Sequence, residues 1–154
     1  MKARIVALST ALCFLAVALA FASDVNMGTW KLNEAKSKFS PGTPKNDTVA
    51  YEAAGDSVKV TVDGTDAAGK PAHNEWTGKF DGKDYPLTGD ATADSRSYKK
   101  VNDHTIELTN KKDGKVIASG RIVVAADGKS RTVTMTASDA SGKKAKYTAV
   151  YDKQ

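Results

Sequence analysis

Cysteine is nearly absent: the one copy, Cys13, sits inside an N-terminal apolar run, so nothing after it can form a disulfide, a thiol nucleophile or a thiolate metal site. Charge of one sign is missing too. After position 22 there are 21 basic and 18 acidic side chains, a net of +3, and they alternate along the chain without an arginine cluster. That pattern excludes a nucleic-acid footprint. Large apolar side chains are scarce, with Leu, Ile, Val and Phe making up 19 of the last 132 residues, so the core must be lean. Beyond the N-terminus no stretch approaches the roughly 20 apolar residues of a membrane span. Catalytic constellations are lacking as well. His73 and His104 are the only histidines, and there is no nucleophile elbow, zinc-protease motif or phosphate loop. The expectation is a non-enzymatic protein without a cofactor or metal.

What is present begins with an export label. Lys2 and Arg4 precede an apolar run from Ile5 to Phe21, and Ala20-Phe21-Ala22 has the small-x-small form of a cleavage site. This reading makes 1–22 a removed signal peptide and 23–154 a single domain, monomeric and periplasmic or secreted. A lipid anchor on Cys13 is the alternative, but Leu12 precedes it where a small residue is favoured.

The mature part is rich in β-branched residues: eleven Val against three Leu, and fourteen Thr. Apolar and polar residues alternate through Val58-Lys59-Val60-Thr61-Val62, Ile106-Glu107-Leu108 and Val133-Thr134-Met135, and Tyr147, Ala149 and Tyr151 fall on one face at the end. Turn signals separate the runs, among them Asp81-Gly82, Asp113-Gly114 and Asp127-Gly128. About ten strands are predicted, near 28–33, 47–54, 57–65, 71–80, 83–88, 95–101, 104–111, 115–125, 130–138 and 144–152. The fold class is all-β, an antiparallel up-and-down meander closed into a calycin-like barrel; a sandwich is the other way to protect its edges. The segment 33–46, with Pro41 and Pro44, is too short and broken for two good helices.

Two end motifs carry a resemblance. Gly28-Thr29-Trp30-Lys31-Leu32 and the terminal Tyr151-Asp152-Lys153 are similar to the ends of calycin barrels, especially fatty-acid-binding proteins, and the mature length resembles exported bacterial lipocalin-like proteins. The resemblance implies a barrel whose first-strand Trp is covered by a basic side chain from the last strand, for which Lys146 is available. It does not carry over fatty acid as ligand. Ala149 stands where that family places an Arg two positions before the terminal Tyr, and the Pro-containing loop replaces the helical lid.

Candidate ligand contacts follow from strand parity. Trp76 and Phe80 flank Gly78 on the apolar face, leaving space for a neighbour or a ligand, and Tyr98, Met135, Tyr147 and Tyr151 share inward faces. Arg96 has the parity of Tyr98, and Arg131 that of Val133. Either could meet an anionic head group inside, although surface exposure is the usual fate of arginine. His104 has inward parity and would sit at a rim; His73 has outward parity. The functional expectation is a binding protein for a small apolar or amphipathic molecule, the alternative being a structural or interaction module whose barrel fills itself.

Overall fold

The computed structural model describes residues 24–138 and 142–154, so the signal segment with Cys13, the junction at Ser23 and residues 139–141 lie outside the described residues. Ten strands form where alternation places them: β1 Gly28–Leu32, β2 Lys45–Ala54, β3 Ser57–Thr65, β4 Pro71–Gly78, β5 Tyr85–Thr88, β6 Ser95–Asn102, β7 Thr105–Lys112, β8 Lys115–Val124, β9 Ser130–Ser138 and β10 Lys144–Lys153. Each pairs antiparallel with its chain neighbours, and β1 also pairs with β10 through Trp30 opposite Lys153 and Leu32 opposite Tyr151. Closure into a barrel rather than a sandwich follows from that last ladder, which leaves no free sheet edge.

The tight connections explain the register. Between β7 and β8 the two-residue link Asp113-Gly114 has φ of 49° and 74°, the positive values whose twist matches that of the flanking strands. A bulge in β2 between Asn46 and Thr48 and others at Lys100/Asn102 and Asn110/Lys111 add local twist to a wall that must curve.

In an up-and-down barrel successive turns alternate between two ends. One end, here called the floor, carries the chain termini; the other, the mouth, carries the 33–44 connection. That connection contains a single 3-10 turn, Glu34–Lys36, capped by the Asn33 side chain, and its Lys38 pairs with Thr148 of β10. No helix among the described residues is long and apolar enough to cross a membrane.

Inward positions are valines, isoleucines and a few large rings, as parity requires: Val58, Val60, Trp30 and Ile106 are fully buried. Two predicted boundaries shift. Strand β4 stops at Gly78, because Asp81-Gly82 turns the chain earlier than alternation suggests, so Phe80 lies just past the strand. Strand β5 is only four residues, held to the wall by short ladders at Trp76–Leu87 and Tyr85–Arg96.

Candidate functional site

The floor half of the barrel is packed with rings. Trp76 stacks on Phe80 with centroids 6.5 Å apart, meets Tyr98 edge-on at 4.8 Å and Tyr85 edge-on at 5.7 Å, and its Nε1–H donates to the Arg96 carbonyl at 2.8 Å. The space over Gly78 is filled rather than open: a Cβ built there would lie 2.5 Å from Tyr85 Cγ and 2.6 Å from the Trp76 ring. Trp76 and Phe80, expected to touch a ligand, are therefore packing residues and do not line the interior cavity. Sequence reasoning missed Tyr85, because Pro86 beside it obscures the alternation of so short a strand.

Trp30 closes the floor from β1. Its Nε1–H donates to the Asn26 carbonyl at 2.9 Å, which pins the segment before β1 under the barrel. Asp24 holds that segment in turn, accepting from the Asn26 backbone N–H at 2.9 Å and side-chain amide at 2.8 Å and pairing with Lys100 at 3.0 Å. Burial alone would push the Asp24 carboxyl up, but these donors outweigh it and hold it below the ordinary aspartate value.

The basic cover over Trp30 is not Lys146, which is exposed on the outer wall. Two other cations take the position. Lys153 Nζ stands 5.0 Å from the ring and donates to the Val25 carbonyl at 3.1 Å; the Arg131 guanidinium stands 4.7 Å from the same ring. Parity separates the lysines, since Lys153 continues the inward series Tyr147, Ala149, Tyr151 and Lys146 does not.

Neither arginine takes the surface position expected of it: Arg131 is 2% exposed and Arg96 5%. The Arg131 guanidinium is enclosed by three rings, Trp30 at 4.7 Å, Tyr151 at 4.9 Å and Tyr51 at 5.0 Å. Its Nε and Nη1 are buried without a hydrogen-bond acceptor. Each ring contact contributes on the order of 1 kcal/mol, attraction without a counter-charge. Arg96, nearer the mouth, donates from Nε to Asn110 at 2.8 Å and from Nη1 to Asn74 at 3.4 Å, both neutral amide oxygens.

These groups border a cavity of about 60 Å³ in the mouth half, lined by Tyr98, Met135, Tyr147, Tyr151, Arg96 and Arg131 from the predicted set, and also by Asn46, Asn110, Phe39 and Pro44. No Asp or Glu lines it. Burial raises the phenol pKa values of Tyr98, Tyr147 and Tyr151; the neighbouring Tyr51 adds to the effect at Tyr98, while Arg96 opposes it at Tyr147 and Arg131 at Tyr151. All three are neutral donors at pH 7. At the mouth Phe39 stacks on Tyr147 with centroids 5.8 Å apart. Phe39 and the two asparagines were missed in sequence: the first lies in a loop without periodicity, and asparagine in a strand is ordinarily solvated.

The histidines stand apart from the cavity. His104 is in the β6–β7 turn at the floor, its Nδ1 3.2 Å from the Val124 carbonyl. His73 faces outward from β4, 2.6 Å from Asp63 and 3.7 Å from Glu75. The hydrogen bond to Asp63, with both carboxylates nearby, raises its pKa.

No known family model and no curated protein matches the chain. The solved structures it is similar to include the two that follow. The structure of EF1p2_mFAP2b bound to DFHBI shares 14% identity, covers 86% of this chain and 97% of that chain, and superposes with a TM-score of 0.48. A redesigned beta barrel, mFAP1, also bound to DFHBI, shares 17% identity over 84% of this chain and 95% of that chain, with a TM-score of 0.44.

Proposed function

We propose that the protein is an exported, monomeric, non-enzymatic binder of a small molecule, held in the mouth half of its barrel. The observation that carries this reading is the lining. Two guanidiniums, two amides and four phenols, those of Tyr51, Tyr98, Tyr147 and Tyr151, converge on one small cavity, whereas a barrel filled only for stability has no use for so many buried polar groups.

Size narrows the class. About 60 Å³ has room for only a few water-sized groups, against several hundred Å³ for the pocket of a drug-sized ligand. A long apolar ligand does not fit inside, and a purely apolar one would leave the guanidiniums buried without partners. The amphipathic alternative fits: a compact polar head within, and any tail leaving between Phe39 and Tyr147. The small volume and the filled space over Gly78 are what favour the second reading, a self-filled module.

Opening the mouth separates the two. In a binder, Phe39→Ala should speed dissociation of a bound octanoate probe at least several-fold while the melting temperature falls only modestly, because Phe39 is partly exposed at the mouth and not part of the fully buried core. In a self-filled module, stopped-flow mixing would detect no octanoate complex in either protein. Export rests on the N-terminal pattern, and sequencing of the mature protein should begin at Ser23 or within a residue or two of it; an intact Met1 would contradict export.

A further inference from the structure

We propose that the ligand is an anion, a carboxylate or phosphate group drawn to the cavity by Arg131 and Arg96. This inference rests on the barrel being a binding protein and names the chemistry of what it binds.

The reason is charge bookkeeping inside the wall. Arg131 is 2% exposed, with two of its nitrogens lacking any acceptor, and its surroundings are three aromatic rings. Arg96 is 5% exposed, and its acceptors are the uncharged Asn110 and Asn74. Both line the same cavity, and no carboxylate lines it with them. A buried guanidinium ordinarily has an acid beside it, because rings and amides attract a cation without neutralising it. Here two cations share one enclosure without an acid. The Tyr98 phenol lies within the electrostatic reach of both, and the phenols and the Asn46 and Asn110 amides add hydrogen-bond donors. These cations and donors suit negative charge, and an anion would give both arginines the counter-charge that rings and amides do not.

The shared chemistry has two sources: a free compact anion, or the head group of an amphiphile whose tail leaves by the mouth. The test is a calorimetric titration of the purified protein, freed of copurifying small molecules, with octanoate, octan-1-ol, acetate and inorganic phosphate, repeated on Arg131→Met and Arg96→Gln. Octanoate should bind at least tenfold more tightly than octan-1-ol. That preference should shrink towards parity in Arg131→Met, which replaces an unpaired buried cation by an apolar chain and should melt no earlier than wild type. Acetate or phosphate binding as tightly as octanoate marks a free anion as the occupant; octanoate alone marks an amphiphile. Equal affinity for octanoate and octan-1-ol in the wild-type protein overturns the anion and leaves the binding function standing. No binding of any of the four overturns both. The wild-type comparison decides even if a variant fails to fold, and an undiminished preference in a folded Arg131→Met would remove Arg131 from the site.

Discussion

Replacing Trp76 with alanine should lower stability by roughly 3–5 kcal/mol, a fall in melting temperature on the order of 10–20 °C for a domain of this size. The ring is 1% exposed and packed by Phe80, Tyr85 and Tyr98, so its removal leaves a void that neighbouring strands cannot close. It also removes the Nε1–H donor that the Arg96 carbonyl accepts from at 2.8 Å, a lost hydrogen bond that is part of this cost. Because Trp76 does not line the cavity, affinity for a small anion should change little in whatever fraction remains folded. Thermal melts with parallel octanoate titration check both halves. A large loss of affinity in folded Trp76→Ala protein would place the ligand deeper in the barrel than the cavity described above.

Trp30→Ala should destabilise by a similar amount, about 3–5 kcal/mol, but with a different signature. Trp30 is fully buried, donates to Asn26 and forms one wall of the enclosure around Arg131. Without it the segment Asp24–Met27 loses one of its anchors, the others being Lys100 and Lys153, and water gains access to the guanidinium from below. Screening of that charge should weaken anion binding together with stability. Trp30→Phe keeps a ring over Arg131 but removes the indole N–H and part of the buried ring, so a smaller loss, on the order of 1–3 kcal/mol, is expected, with affinity nearly intact. Denaturant melts of the two variants, each paired with a titration, test this. Equal loss of affinity in Trp30→Phe and Trp30→Ala would show that the hydrogen bond to Asn26, not the ring, maintains the site.

Strand positions were legible in the sequence because a barrel wall imposes period two on every strand, and turns such as Asp113-Gly114 mark where it reverses. Closure was legible in a weaker form. The pairing of Trp30 with Lys153 joins residues from opposite ends of the chain, and only the end motifs pointed to it. The site was half visible. Parity put Tyr98, Met135, Tyr147, Tyr151, Arg96 and Arg131 on the inner face, where they line the cavity, but parity gives the face and not the depth. Trp76 and Phe80 share that face and lie in the packed floor. The burial of the arginines ran against the habit of arginine, whose hydration keeps it at surfaces, and the three rings around Arg131 come from β1, β2 and β10, which no local window brings together. Lys146 and Lys153 share the last strand, and it is alternation that points Lys153 at Trp30 and Lys146 away from it.

The most direct test of the central claim, that the barrel holds a small molecule, is native mass spectrometry of the protein isolated from its own source. The expected result is a mature chain carrying a non-covalent adduct, lost on collisional activation and found as an anion in negative-ion mode. Bare protein throughout, together with no uptake when octanoate is added, would contradict the account and leave a barrel that its own side chains fill.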